Sequence, residues 1–333
     1  MKSETDIFTP PTRVVSTQSC TFFDYHPLSS PSSSGPITFS IPGNDVHYLD
    51  MASLQLHLRL KIQSGQADIA TEAPPIEPVN NFLHTMFEQV TMHLNETQIT
   101  PTSTLYPYRA FIESCLGTNG EHQKTMGRTA LLTSEENVNS IVSIGYRLRV
   151  DVAKQSKVFD VVARPFIDIC GQSRYLIPNT DVRLTFHKSP ANFCLREHTT
   201  AAVAAAEGRA AVVAVPTRGS YNIHIESARL SLKKIQVIPS ILTAHLKLLQ
   251  AGNMACYPMR RVEVKSFALP KGTVQNVNET LLSGRLPDRI IICLVKSEQF
   301  HGTLNSNPFE FTDFKLSNIS ITVNGDSNFH KSI

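Results

Sequence analysis

The chain has 333 residues, with 31 basic and 28 acidic side chains and a formal net charge of +3. Such a charge gives no electrostatic sign of a nucleic-acid-binding protein. Hydrophobic residues make up 41% of the chain, enough for a large core, and charged residues make up only 18%. The sequence has no run of about 18 apolar residues and no apolar N-terminal signal segment, so we expect neither a membrane span nor secretion.

The N-terminal half is predicted to be rich in strands. Residues 1–35 form an extended arm, because Pro10-Pro11 disfavours helix and the stretch that ends at Gly35 is rich in serine. Residues 54–62 alternate leucine or isoleucine with polar residues, which is typical of a strand with one buried face. Further strands are predicted over 90–94, 146–152, 158–169 and 181–188, and one short helix over 106–116.

The C-terminal half repeats this pattern after an alanine-rich stretch, residues 196–220, which we interpret as a linker or an insertion. A strand is predicted over 221–238, followed by a helix that begins at Pro239 and ends at Gly252. Further strands are predicted over 261–267, 289–295 and 309–323. The last is closed by Asn324-Gly325, a pair that favours tight hairpin turns.

Two antiparallel units, each with one short helix between strands, predict an all-β fold of two jelly rolls in tandem. The predicted divisions are the arm at 1–35, a first jelly roll at 36–195, the stretch at 196–220 and a second jelly roll at 221–333. The alternation of strands and helices that a parallel sheet requires is missing.

The sequence offers little for catalysis or metal binding. A metal-binding cupin needs two histidines two residues apart, and the nearest match, His224-Ile225-Glu226, is interpreted as polar strand surface. Asp160 and Asp168 are interpreted as salt-bridge partners of Arg164 or Arg174 rather than as a general acid and base. We therefore predict no catalytic residue, no cofactor and no metal, and not an enzyme.

Three other groups of residues have structural interpretations. The six cysteines form no Cys-x-x-Cys pair, which favours buried free thiols in a reduced compartment. Lys233-Lys234 and Arg260-Arg261 are basic doublets that suit either solvated surface or weak contact with DNA. The phenylalanines at 309, 311 and 314 suit a core or a contact between subunits.

Several segments, taken in order, resemble the double jelly-roll major capsid protein of Polinton (Maverick) elements and their adintovirus relatives. The segments are residues 4–12, 79–95, 106–110, 159–175, 257–261, 284–287, 307–311 and 323–325. The residues that carry the family signature are Tyr106, Pro107, Tyr108, Arg164, Pro165, Phe166, Asp168, Gly284, Pro287, Asn307, Pro308, Phe309, Phe311, Asn324 and Gly325.

The resemblance implies a structural protein without catalysis. Three copies would form a pseudo-hexagonal capsomer, and capsomers would tile an icosahedral shell together with a single jelly-roll penton protein. It also implies weak contact with packaged DNA, no membrane, and a location in the virion capsid.

The chain departs from that family at its C-terminus. Family members continue past the turn at Asn324-Gly325 with further strands, whereas this sequence ends eight residues later. We therefore expect a second jelly roll that is short of strands, from a truncated or decaying gene copy or a shortened gene model. The alternatives are a domesticated or decaying host-genome copy, intracellular and binding without building a shell, and a cupin-like enzyme.

Overall fold

The computed structural model describes residues 16–32, 34–70, 75–117, 119–133, 140–141, 143–198, 220–272, 286–323 and 326–332. Three predictions therefore lie outside the described residues, in whole or in part. They are the first 15 residues of the predicted arm, most of the alanine-rich stretch, and the signature residues Gly284, Asn324 and Gly325.

The structure is mostly antiparallel sheet with short helices, which confirms the predicted fold class. The strands are β1 (Thr17–Tyr25), β2 (Ile37–Ile41), β3 (His47–Ser64), β4 (Ala67–Asp68), β5 (Ile76–Pro78), β6 (Phe87–Leu94), β7 (Thr97–Gln98), β8 (Phe159–Ala163), β9 (Val182–Lys188), β10 (Leu195–Glu197), β11 (Tyr221–Val237), β12 (Asn318–Val323) and β13 (Asp326–Ser332). The α-helices are α1 (Phe82–Thr85), α2 (Tyr106–Gly117), α3 (Gly120–Lys124), α4 (Met126–Thr129), α5 (Ile144–Ala153), α6 (Ala191–Cys194), α7 (Pro239–Gln250) and α8 (Ser297–His301). Short 3₁₀ helices lie at Lys154–Ser156 and Asp168–Gly171.

Two antiparallel sheets supply the main hydrophobic core. The first has the order β1-β11-β3-β4, with β8 also paired to β3, and the second has the order β2-β9-β6-β7. On β3, the leucines and isoleucine at alternate positions 54–62 are at most 1% exposed. They pack with apolar residues of β2, β9 and β6 in one cluster. Each such side chain contributes about 1.5–3 kcal/mol when buried, so this alternation fixes which face of β3 points inward.

Strand β11 joins the sheet of the N-terminal half. It pairs antiparallel with β3 along nearly its whole length, from Tyr221 opposite Ser64 to Gln236 opposite His47. On its other side it pairs with β1, which forms from residues of the predicted arm. The division into two units at residue 221 stays a prediction, and β11 is hydrogen-bonded into the first of them.

The strand predicted over 146–152 is wrong, because these residues lie in helix α5. The Ser143 hydroxyl accepts a hydrogen bond from the backbone N–H of Tyr146 at 3.1 Å and caps the helix. Tyr146, Arg149 and Ala153 are buried, at the three- and four-residue spacing of a helix face. Apolar residues at alternate positions 146, 148, 150 and 152 gave the pattern of a strand, which led to the wrong prediction.

Four other predicted strands also need correction. The strand predicted over 309–323 is only the six residues of β12. The strand predicted over 158–169 is only the five residues of β8, followed by Pro165 and the 3₁₀ turn at Asp168–Gly171. Residues 261–267 and 289–295 form no strand. Isoleucines 290, 291 and 292 are 43–49% exposed, and these two segments have no partner strand among the described residues. An apolar, β-branched segment forms a strand only where a neighbour satisfies its backbone.

Two C-terminal predictions are confirmed. Helix α7 starts with Pro239 at its first position, and Gly252 follows its end with a φ of +84°, a conformation that suits glycine. Strands β12 and β13 pair as a hairpin with Val323 opposite Asp326, which matches the hairpin predicted at residues 324–325. This hairpin is a separate two-stranded sheet. Among the described residues, no helix is long and apolar enough to cross a membrane.

Candidate functional site

The structure brings most of the described signature residues together around helix α2. Helix α2 supplies Tyr106, Pro107 and Tyr108 in its first turn, all buried. The turn that supplies Asn307, Pro308 and Phe309 is held by the Asn307 side chain, whose Oδ1 accepts a hydrogen bond from the Phe309 N–H at 3.0 Å. Asparagine suits this position because its amide oxygen can bond the backbone two residues further on.

Aromatic rings join this turn to α2. Phe309 stacks on Phe111 with ring centroids 4.2 Å apart and an interplanar angle of 1°. Tyr108 stacks on Phe300 at 5.4 Å and meets the edge of Phe309 at 5.7 Å. Such pairs contribute about 0.5–1.5 kcal/mol beyond the area that they bury. We call this group the aromatic cluster, and its members are Tyr108, Phe111, Phe193, Phe300, Phe309 and Phe311.

A buried polar contact lies at the start of α2. The Tyr106 hydroxyl accepts a hydrogen bond from the Phe166 N–H at 3.3 Å and lies 2.9 Å from Nδ1 of His84. Burial lowers the pKa of His84 to about 3, so its imidazole is neutral. A neutral Nδ1 can accept the proton of the Tyr106 hydroxyl, whose pKa burial raises. This contact ties the signature residues Tyr106 and Phe166 to helix α1.

An ion pair links α2 to the turn that contains Asp168. Arg109 donates from Nη2 to Asp168 at 2.5 Å and from Nε to Glu113 at 2.6 Å, and its side chain is only 10% exposed. The predicted partners of Asp168, Arg164 or Arg174, are therefore wrong. Arg164 is exposed, and Arg174 donates to the carbonyl oxygen of Cys256 at 2.6 Å. The acid is engaged in a structural pair, as predicted, but with a helix 59 residues away in sequence.

A second buried charge cluster was missed by the sequence analysis. Glu77 of β5 accepts from Arg149 at 2.5 Å and lies 3.3 Å from Arg196 and 2.7 Å from His198. Desolvation opposes ionisation of Glu77, but the hydrogen bond with His198 and the charges of Arg149 and Arg196 outweigh it, so its pKa lies below the usual value. No sequence pattern predicts this cluster, because its members come from three separate segments.

The remaining candidates have structural surroundings. Cys170 and Cys194 are buried as predicted, whereas Cys20, Cys115, Cys256 and Cys293 are exposed, which corrects the expectation for these four. Glu226, part of the nearest cupin-like motif, lies 3.5 Å from Arg59. In the part of the chain that the structure describes, no group of three or more His, Cys, Asp or Glu side chains could hold a metal ion.

The basic doublets lie beside aromatic or acidic side chains. Lys233 sits over the Phe22 ring at 5.3 Å and Lys234 over the Phe23 ring at 5.2 Å. Lys233 also lies 4.0 Å from Asp50, and Arg261 lies 3.3 Å from Glu263. The contact with DNA proposed for these doublets stays a prediction.

The signature residues thus fall into three groups. Tyr106, Pro107, Tyr108, Phe166, Asp168, Phe309 and Phe311 lie in or next to the described contacts, with Pro165, Asn307 and Pro308 in the adjoining turns. Arg164 and Pro287 are exposed, and Gly284, Asn324 and Gly325 lie outside the described residues. Sequence reasoning missed Phe111, Phe193, Phe300 and His84, although Phe111 falls inside the predicted helix. The stacked rings and the ion pairs described above pack separate segments of the chain against one another.

This architecture, an antiparallel β-sandwich with short inserted helices, defines the class of protein before any comparison. No protein-family model matches the chain. Among curated proteins, the chain is similar to the uncharacterized protein F54H12.2 of Caenorhabditis elegans, 23% identical over 300 residues, which are 88% of this chain and 67% of that protein.

Among solved structures, the chain is similar to the Sputnik virophage structure at 12% identity and a TM-score of 0.46, covering 72% of this chain and 53% of that one. It is similar to the Faustovirus major capsid protein at 10% identity and 0.43, covering 73% and 58%. It is also similar to the mavirus major capsid protein at 13% identity and 0.41, covering 76% and 52%. Two of these neighbours are named as major capsid proteins. The chain spans little more than half the length of each.

Proposed function

We propose that the chain is a structural capsid protein that forms trimers, with the trimers as pseudo-hexagonal capsomers of an icosahedral shell. One observation carries the proposal: residues that carry the sequence resemblance to capsid proteins meet in one buried place. Phe309 stacks on the α2 ring Phe111 and meets the edge of Tyr108, while Arg109 of α2 pairs with Asp168.

The chemistry of these residues supports a structural role over a catalytic one. His84 is neutral because burial lowers its pKa. Asp168 and Glu113 are both engaged by Arg109. A general acid or base must reach a substrate proton, whereas His84 is buried against Tyr106 and both carboxylates are paired with Arg109. In this proposal the mature location is a virion shell, with a single jelly-roll penton protein and packaged DNA as further partners.

The proposal is tested by electron microscopy of the purified full chain after separation on a density gradient. We expect three-fold particles or closed shells in the fast-sedimenting fractions. A chain that stays in the slow fractions and shows only single-subunit particles would contradict the proposal. Asp45→Asn, a change at an exposed side chain outside the described ion pairs, is a matched control for handling.

A second candidate is a host-genome protein of this fold that binds a partner without building a shell. The observation that favours it is the similarity to a protein encoded by an animal, Caenorhabditis elegans. The same gradient separates the two candidates, because a binding protein of this kind would stay in the slow fractions while folded and soluble.

A further inference from the structure

Strand β1 leaves an open edge on the larger sheet. One side of β1 pairs with β11, and no strand among the described residues pairs with its other side. Residues 18–24 are all exposed, with Phe22 at 56% and Phe23 at 40%. An edge strand presents a row of backbone donors and acceptors that can pair with another strand.

Two common protections of an edge strand are missing from β1, although its register shifts between Thr17 and Ser19. Proteins commonly place lysine or proline on such edges, and β1 (TQSCTFFDY) contains neither. Its one charged side chain, Asp24, is already engaged by the Ser231 hydroxyl at 2.5 Å and by Arg229 at 3.2 Å. The lysines that sit over the Phe22 and Phe23 rings belong to β11, and the Phe23 ring also contacts the His47 ring at 6.3 Å. The edge therefore offers two partly exposed rings, and its outer backbone groups pair with no other described strand.

The same chain carries a hairpin that has no third strand among the described residues. Strands β12 and β13 pair only with each other among the described residues. The β12 sequence, NISITV, alternates isoleucine and valine with polar residues, the pattern of a strand that packs one face. An isolated two-stranded hairpin is marginally stable in water, and a third strand is what stabilises it.

We propose that the β12–β13 hairpin of one copy adds to the open β1 edge of a second copy of this chain. The inference rests on the proposed assembly function and names the surfaces that carry it. Because the two surfaces differ, the contact is head-to-tail, and repeating it around a closing rotation makes a ring, as a trimer requires. A symmetric β1–β1 contact would instead make a dimer.

The test uses three double variants of the full chain in sedimentation velocity. The edge variant is Phe22→Glu with Phe23→Glu, and the hairpin variant is Ile319→Glu with Ile321→Glu. The control is Leu246→Glu with Leu248→Glu, at exposed positions of α7. We expect the wild type and the control to form trimers, and each of the other variants alone to stay monomeric. An equimolar mixture of these two variants should form dimers and no trimers, because it contains one intact edge and one intact hairpin.

The outcomes separate this contact from assembly in general. If the wild type forms trimers and the hairpin variant forms trimers equally well, the contact is overturned and the proposed function still stands. A mixture that stays monomeric would also overturn the contact. A wild type that is itself monomeric would overturn both proposals.

A readout on the unsubstituted chain covers the case in which a variant fails to fold. Cys20 lies on β1 and is exposed in the single chain, as is Cys256 elsewhere. Assembly through the β1 edge should slow maleimide labelling of Cys20 several-fold relative to Cys256. If Cys20 in the assembled fraction is labelled no more slowly than Cys256, the contact is contradicted.

Discussion

At the scale of single residues, Phe309 anchors its own turn to helix α2. Its ring is 2% exposed and stacks on Phe111. Phe309→Ala should lower the free energy of unfolding by about 3–5 kcal/mol, through lost burial and the cavity that remains. Denaturant unfolding measures this. Phe267→Ala, at a 45% exposed ring, should change it by about 0.5 kcal/mol or less, and equal losses in both variants would contradict the anchor.

Glu77 is the carboxylate on which Arg149, Arg196 and His198 converge. Removing one partner of a buried ion pair is costly, so Glu77→Gln should destabilise the protein by about 3–5 kcal/mol. The matched control is Glu263→Gln, which breaks an exposed pair with Arg261 and should cost about 1 kcal/mol at most. Thermal or denaturant unfolding at neutral pH distinguishes the two variants.

His84 predicts a pH dependence of stability. Burial lowers its pKa from 6.5 to about 3, so between these values the unfolded chain binds a proton at this site that the native chain does not. Stability from this residue is therefore full above pH 6.5 and falls as the pH drops towards 3. His84→Gln, which can still bond Tyr106, should flatten the slope of stability against pH in this window, and an unchanged slope would be evidence against a buried neutral imidazole.

The partners in the buried ion pairs could not be predicted from the sequence. The stretch around Asp168 suggested an ion pair, yet its partner Arg109 lies on a helix 59 positions earlier. Glu77 and His198 are 121 positions apart. In a sequence, only charges that are close together can be suggested as ion-pair partners. Which distant charges meet is determined by the fold.

At the scale of elements, alternation is informative only when burial follows it. The even-numbered leucines and isoleucine of β3 are buried as the pattern predicts. In α5 the alternate apolar positions are misleading, because burial falls on Tyr146, Arg149 and Ala153. In residues 289–295 the apolar pattern is real, but no described strand lies beside it.

The cap of α5 gives an element-scale prediction. The Ser143 hydroxyl satisfies the Tyr146 N–H at the first turn, so Ser143→Ala should cost about 0.5–2 kcal/mol. Ser227→Ala, at an exposed position of β11, should change stability by about 0.5 kcal/mol or less. Hydrogen exchange of α5 amides locates the effect, and a loss spread evenly over the sheets would contradict a capping role.

At the scale of the whole molecule, the fold places its apolar alternation in one core and leaves specific surfaces uncovered. The open β1 edge, the lone β12–β13 hairpin and the exposed isoleucines at 290–292 all lie outside that core. Exposed apolar surface and open edges are typical of proteins that assemble. The proposed shell therefore accounts for features that a monomeric protein would be expected to protect.

Mass photometry of the purified full chain tests this account most directly. The account predicts a main species at three times the 36.9 kDa chain mass, with larger assemblies as concentration rises. A single species at the mass of one chain, folded and soluble across that concentration range, would contradict it.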